Sequence, residues 1–146
     1  MKGIVTLCGS TKFPEVFAST NSELTKAGWI VLSVGTFVRE EYHDENNPEA
    51  LSLKVRLDSL HKEKISMSDC ILVLNKNGYI GSSTKSEIYF ASAHGKKIYW
   101  LEGNGAVPTF HDMIAGKSRS ELVQGKSETS NRPNTPVKEV NQIRQV

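Results

Sequence analysis

The segment 8–11, with the sequence CGST, has the composition of a ligand-binding turn. It follows a short β-branched apolar run and precedes residues at helical spacing, so the pattern predicts a turn from a strand into a helix. Gly9 lets the backbone approach a ligand closely. The free N–H groups at the helix start, with the hydroxyls of Ser10 and Thr11, suit a phosphate. The alternative is that Ser10 or Thr11 only caps the helix.

A second segment with chemical potential is 81–87, with the sequence GSSTKSE. Gly81, Ser83 and Thr84 offer further N–H and hydroxyl donors at a predicted helix start. Glu87 is expected in the first turn, where the helix dipole favours its charged form. Such a carboxylate suits attack on an anomeric carbon and is poorly suited to act as a general acid. The alternative is a capping box formed by Thr84 and Glu87.

His61 is the third candidate, on a predicted helix that also carries Asp58 one turn earlier. A histidine beside a carboxylate can move protons near neutral pH. The pattern alone favours a surface or packing histidine. The polar loop segment 39–45 is either a cover for a bound ligand or simply a solvated loop.

The elements that must position these residues alternate between strand and helix. Strands are predicted at 3–8, 29–34, 70–74 and 97–101, and helices at 13–27, from 48 onward and at 83–94. Runs that are apolar on both faces are typical of parallel strands covered by helices on both sides. The order therefore predicts an α/β open parallel sheet, a three-layer sandwich of Rossmann-like type. Ligands bind beyond the carboxyl ends of such strands. The second helix is expected to bury a stripe of Leu53, Leu57, Leu60 and Ile65.

Composition limits the possible classes of protein. The 146 residues suit one domain, which we place at 1–116, with a short closing helix after the last strand and a polar tail at 117–146. Residues 1–115 carry 12 basic and 13 acidic side chains, a net charge of −1, which argues against a nucleic-acid binder. No apolar run approaches the roughly 20 residues of a membrane span. Cys8 and Cys70 lack zinc-type spacing and predict reduced thiols, hence a cytoplasmic protein.

The order and spacing of these motifs resemble a known group of enzymes. The CGST turn, the run SDCILVL at 68–74, and the stretch from Gly81 through Glu87 to Ala91 are similar to nucleoside 5′-monophosphate N-glycosidases. These belong to the nucleoside 2-deoxyribosyltransferase-like superfamily, which has small phage and bacterial members. The resemblance covers residues 3–101. It implies a fold of that superfamily and a homodimer or larger homo-oligomer.

The resemblance also implies roles for individual residues. Glu87 matches the glutamate that attacks C1′ of the sugar. His61 stands eight residues before Asp69, where the family has an aspartate that protonates the leaving base. The residues that match the loops holding a 5′-phosphate or sugar hydroxyls are Gly9, Ser10, Thr11, Gly81, Ser83 and Thr84.

The sequence thus predicts cleavage or transfer at the N-glycosidic bond of a nucleotide or nucleoside, with no metal or organic cofactor. One alternative is a nucleotide-binding or sensing protein without catalysis. Another is an interaction protein in which the tail is the active part. The tail residues 137–146 regain valine and isoleucine at a spacing of three, which predicts contact with a neighbouring copy.

Overall fold

The computed structural model describes residues 1–37, 46–103 and 108–115. Within these residues the chain forms one parallel sheet of four strands in the order β2-β1-β3-β4. Its strands are β1 (Gly3–Gly9), β2 (Trp29–Leu32), β3 (Cys70–Leu74) and β4 (Lys97–Trp100). Val5 of β1 pairs with Val31 on one side and with Cys70 on the other, so β1 lies inside the sheet. The predicted α/β parallel class is confirmed.

Helices connect these strands and have recognisable start signals. They are α1 (Pro14–Lys26), α2 (Pro48–Ser66), α3 (Ser82–Ala93) and α4 (Phe110–Ile114). Proline occupies the first turn of α1 and α2, where its missing N–H costs nothing. The Asn47 side chain accepts hydrogen bonds from the N–H groups of Glu49 and Ala50 at 3.0 and 3.3 Å, which fixes the start of α2. The predicted closing helix corresponds to α4.

The sheet separates two apolar layers. On one face, Leu7 and Leu72 pack with Phe17 and Leu24 of α1 and with Met113 of α4. On the other face, the buried apolar cluster comes from the sheet, α2 and α3; it is Cys8, Ile65, Ile71, Val73 and Ala91. Neighbouring residues of β3 therefore alternate between the two cores, as the two-residue period of a strand requires. This arrangement gives the three layers that the sequence predicted.

Two details differ from the sequence expectations. Strand β2 ends at Leu32, two residues before the predicted end. The predicted apolar stripe of α2 is wrong at Leu60, whose side chain is 52% exposed. The buried residues of α2 are Ala50, His61 and Ile65, which mark its inner face. Leu60 precedes His61 by one position, which on a helix turns it about 100° away from that face.

Some expectations lie outside the described residues. They concern all of the polar loop at 39–45 and all of the tail at 117–146. The helices that are described include none that is long and apolar enough to span a membrane.

Candidate active site at the carboxyl ends of β1 and β3

The strand order places a crevice between the ends of β1 and β3. From β1 the chain passes to β2 on one side of it and then returns through α2 to β3 on the other side. In open α/β sheets, ligands bind where the strand order reverses in this way. Gly9, the last residue of β1, pairs with Leu74, the last residue of β3. A Cβ atom at Gly9 would lie 2.8 Å from the Leu74 Cβ, so glycine allows the two strand ends to close.

Glu87 lies in the second turn of α3, with its carboxylate within 4.8 Å of the Cys8 sulfur in β1. The helix starts at Ser82, preceded by Gly81 in extended conformation, and its first backbone bond runs from Lys85 N–H to the Gly81 carbonyl. Thr84 is therefore inside the helix and 2% exposed, rather than at its cap. The capping-box alternative is wrong, and so is the first-turn position expected for Glu87. The N-cap is Gly81, three residues before Thr84, so Glu87 falls in the second turn.

The environment of the Glu87 carboxyl is buried and partly polar. The residue is 7% exposed, and its Oε1 lies 4.0 Å from His61 Nε2. Burial is the largest cause that raises its pKa, and the negative charge of Asp58 adds to it, giving a value of about 7. The neighbouring Cys8 thiol lowers the pKa, as do the charges of Lys62 and Lys54. Desolvation thus outweighs the helix dipole. Both protonation states are populated near neutral pH, contrary to the expected fully charged carboxylate.

His61 faces the sheet from the middle of α2. It is 6% exposed, so it is not a surface histidine. Its Nε2 lies 2.9 Å from the Leu7 carbonyl, which can only accept, so Nε2 carries the hydrogen and the neutral ring donates it there. Burial lowers the pKa of His61 from its ordinary value. The ring is therefore mainly neutral at pH 7, with its one N–H committed to the backbone.

Cys8 is the third member of the buried cluster. Its side chain is fully buried, and its Sγ lies 3.7 Å from His61 Nε2 and within 4.8 Å of the Glu87 carboxylate. Sulfur, imidazole nitrogen and carboxylate oxygen all lie within 4.8 Å of one another, a spacing that a metal ion can bridge. A metal would need a lone pair on Nε2, whereas Nε2 holds the hydrogen donated to Leu7. The arrangement fits a hydrogen-bonded cluster better than a metal centre.

Lys54 forms the rim of the site between α2 and α3. Its Nζ donates to Asp58 Oδ2 at 2.9 Å and to Ser83 Oγ at 2.8 Å. The sequence analysis missed this residue. The spacing of four between Lys54 and Asp58 indicates an ion pair along one helix, but the contact with Ser83 depends on how α2 and α3 pack. Through it, Ser83 lies next to a cation.

The turn after β1 is held by its own backbone. Ser10 Oγ accepts from Lys12 N–H at 3.2 Å, and the Ser10 carbonyl accepts from Phe13 N–H at 3.2 Å. The N-cap of α1 is Phe13, without a side-chain cap, so the alternative that Ser10 or Thr11 caps α1 is wrong. Thr11 is half-buried. The ring of Tyr79 joins this turn to the loop after β3, with Lys12 Nζ 4.0 Å from its centroid.

The predicted site residues thus fall into two groups. The structure brings Glu87 and His61 together, and it places Ser83 and Thr84 at the start of the same helix as Glu87. Gly9, Ser10 and Thr11 lie at the end of the neighbouring strand and in its turn. Among the described residues, no hydrogen bond joins this turn to the start of α3.

Comparisons with known proteins bear on the fold alone. No protein-family model matches the chain, and no curated protein matches it. The solved structure of the CMP N-glycosidase BcmB from Clostridium botulinum is similar at 19% identity and a TM-score of 0.44, over 80% of this chain and 83% of that one. A conserved protein from Enterococcus faecalis V583 is similar at 12% identity and a TM-score of 0.47, over 99% of both chains. With TM-scores below 0.5, neither similarity carries an argument about activity.

Proposed function

We propose that this protein cleaves or transfers at the N-glycosidic bond of a nucleotide or nucleoside, with Glu87 as the nucleophile. The observation that carries the proposal is the buried Glu87 carboxyl facing His61 and Cys8 at the strand-order reversal. A charged carboxylate is costly to bury, so its presence in a crevice is more typical of chemistry than of stability. The motif resemblance assigns the same role to the same residue.

The proposed reaction has two displacements. A Glu87 oxygen attacks C1′ of the sugar, the bond to the base breaks, and the base leaves with the bonding electrons. The resulting glycosyl ester is then opened by water, giving hydrolysis, or by a second base, giving transfer. Each displacement inverts C1′, so the product retains the configuration of the substrate.

Proton supply to the leaving base is assigned to His61. The neutral ring donates its one N–H to Leu7, so His61 can act as an acid only after it takes up a second proton. Burial lowers the pKa of His61 while it raises that of Glu87 to about 7. The productive form, with Glu87 charged and His61 protonated, is therefore a minority form. Its population gives a bell-shaped pH–rate profile with its maximum below pH 7.

A substrate whose base nitrogen is quaternised, such as a nicotinamide nucleotide, separates nucleophilic attack by Glu87 from proton supply by His61. Its base leaves without a proton, so the rate depends only on the charged form of Glu87. With such a substrate, we expect the rate to rise with pH through about 7 and then to level off.

A 5′-phosphate is the proposed specificity group. Ser83 and Thr84 begin α3, Gly81 offers no side-chain cap, and Lys54 Nζ lies 2.8 Å from Ser83 Oγ. The free N–H groups of this helix start and the lysine cation both favour an anion. We assign Gly9, Ser10 and Thr11 to the other side of the same ligand.

The test is incubation of the full chain with ribo- and deoxyribonucleoside monophosphates and the matching nucleosides. Chromatography detects the free base, and NMR in the presence of methanol as acceptor identifies the anomer formed. We expect base release from monophosphates with retained configuration. An inverted product would contradict a covalent intermediate on Glu87, and no base from any substrate would contradict catalysis.

One observation favours the alternative of a binding or sensing protein without catalysis. His61 commits its N–H to the Leu7 carbonyl, and Glu87 is only 7% exposed. Calorimetry distinguishes the two functions, because a sensor binds a nucleotide tightly without releasing its base.

A further inference from the structure

Tyr79 has no role in the proposed reaction as derived so far, yet it contacts both segments that flank the crevice. It lies in the loop between β3 and α3, and its ring contacts Lys12 and Phe13 of the turn after β1. Its hydroxyl lies beside Gly81, 3.5 Å from the position of a Cβ atom there. We infer that Tyr79 is a positioning residue: its ring fixes the distance between the turn after β1 and the start of α3. This inference rests on the proposed function, which assigns these two segments to one 5′-phosphate.

Two contacts hold the Tyr79 ring against the turn after β1. Phe13 packs against it in a T-shaped arrangement, with ring centroids 6.2 Å apart and ring planes at 75°, and Lys12 Nζ lies over it, 4.0 Å from the centroid. Both arrangements are favourable, because the edge of one ring and a cation are each attracted to the negative face of another ring. Among the described residues, no hydrogen bond joins this turn to the start of α3. The ring contacts of Tyr79 therefore link the two segments.

The loop that carries Tyr79 is anchored independently of the turn. The Asn75 side chain donates to the Glu102 carbonyl at 2.8 Å and accepts from the Glu102 N–H at 2.9 Å, and the Glu102 carboxylate accepts from the Asn77 N–H at 3.1 Å. Asn77 and Gly78 have φ of 56° and 77°, values that asparagine and glycine tolerate better than other residues. These contacts tie the loop to the chain just beyond β4. Removal of the Tyr79 ring should therefore release the turn after β1 and leave the loop in place.

Variants of Tyr79 separate the ring from the rest of the side chain. Tyr79→Phe keeps the ring and loses the hydroxyl, Tyr79→Leu keeps apolar volume without a ring, and Tyr79→Ala keeps neither. The matched control is Tyr89→Ala, which removes an exposed tyrosine of α3. Tyr79 is itself 41% exposed, so its substitution leaves the core of the fold intact.

The first measurement needs no ligand. In the full chain, the ring current of Tyr79 should shift the NMR signals of the Lys12 side-chain protons upfield, because Lys12 Nζ lies over the ring face. The signals are assigned with Lys12→Gln. We expect the shift to disappear in Tyr79→Ala and Tyr79→Leu, and to persist in Tyr79→Phe and Tyr89→Ala.

The second measurement is the KM for a nucleoside 5′-monophosphate and for the matching nucleoside. A turn released from the ring presents its donors at a variable distance from α3, so a phosphate held from both sides loses affinity. Tyr79→Ala should raise KM for the monophosphate roughly threefold to tenfold, and Tyr79→Phe should restore it. KM for the nucleoside should change little. Among the described residues, Tyr79 makes no hydrogen bond to Glu87 or His61, so kcat should also change little.

The outcomes separate this inference from the proposed function. The inference is overturned if the Lys12 signals are the same in Tyr79→Ala and the wild type, or if Tyr79→Phe raises KM for the monophosphate as much as Tyr79→Ala does. Tyr79→Leu provides the result if the alanine variant does not fold. Loss of the Lys12 shift in Tyr79→Ala, without base release or nucleotide binding by the wild type, confirms the ring contact but contradicts both the proposed function and the positioning role. Base release with KM unchanged in Tyr79→Ala supports the proposed function and contradicts the inference.

Discussion

Glu87 carries a free-energy cost that can be measured without any substrate. Its pKa is about 7 in the folded chain, against an ordinary value of 4.5. Because the folded state holds the proton more tightly, the contribution of Glu87 to stability is greatest below about pH 4.5 and is lost as the pH rises through about 7. The shift corresponds to about 3 kcal/mol.

We therefore predict that Glu87→Gln removes this pH dependence. The free energy of unfolding of the variant, relative to the wild type, should increase by about 3 kcal/mol between pH 4.5 and pH 8. Denaturant titrations at both pH values provide the measurement. Glu63→Gln, at an exposed position of α2, should show no such increase. If the difference in free energy of unfolding between Glu87→Gln and the wild type is the same at both pH values, the Glu87 carboxyl is not desolvated.

For single residues, the sequence identified the candidate site residues but not the groups that pack around them. Glu87 and His61 could be found from their types and their place beside predicted strands. Their contact with Cys8 could not, because it joins three elements that are far apart in the chain. The raised pKa of Glu87 was missed for the same reason: the helix dipole can be inferred locally, whereas burial depends on tertiary packing.

Among the elements, the bounds of the strands and the starts of α1, α2 and α3 were predicted to within two residues. Four continuous apolar runs indicated buried parallel strands, and all four are present. The helix α3 is predicted from 83 and starts at Ser82, but the capping-box alternative, which puts the cap at Thr84, is wrong. The helix instead begins after Gly81, which needs no side-chain cap. Residue type alone does not separate these two starts.

The two glycines assigned to the site should respond differently to alanine. At Gly9 the added Cβ would lie 2.8 Å from the Leu74 Cβ, so Gly9→Ala should destabilise the fold by about 1–3 kcal/mol through forced separation of β1 and β3. At Gly81 the nearest atom is the Tyr79 hydroxyl at 3.5 Å, an ordinary contact. Gly81→Ala should therefore fold normally. Thermal melts of both variants provide the measurement, and equal stability would contradict the close approach at Gly9.

The contact between Lys54 of α2 and Ser83 of α3 leads to a prediction about how a phosphate is recognised. Lys54→Gln removes the cation beside Ser83 and should raise KM for a nucleoside monophosphate about tenfold, while KM for the matching nucleoside changes little. Steady-state kinetics on the pair of substrates measures this, and calorimetry replaces it if there is no turnover. The control is Lys26→Gln on α1, an exposed lysine paired with Glu23 at 3.2 Å. If Lys54→Gln raises KM by the same factor for the nucleotide and for the nucleoside, the result contradicts a contact between Lys54 and the phosphate.

For the whole molecule, the sequence predicted the class but not the order of the strands. The order β2-β1-β3-β4 decides which two carboxyl ends meet, and therefore which turns share a site. Nothing in the local spacing of apolar residues distinguishes this order from others with the same connections. The tail lies outside the described residues, so its role remains a prediction from sequence.

We predict that the chain forms at least a homodimer through that tail. Val140→Asp together with Ile143→Asp should reduce the assembly to a monomer, because charges at these positions oppose burial against a neighbour. Light scattering over a wide concentration range measures the mass of both forms. A wild-type monomer throughout, or an assembly unchanged by the two substitutions, would contradict the prediction.

The most direct test of the central claim is the rate of base release by Glu87→Gln, compared with Glu63→Gln and the wild type on the same nucleotide. The amide keeps the size of the side chain but cannot form a glycosyl ester. We predict that Glu87→Gln loses at least about 99% of the wild-type rate, the scale of a missing nucleophile. Glu63→Gln should retain that rate, and both variants should remain folded at the assay pH. Full activity of a folded Glu87→Gln variant would contradict the mechanism.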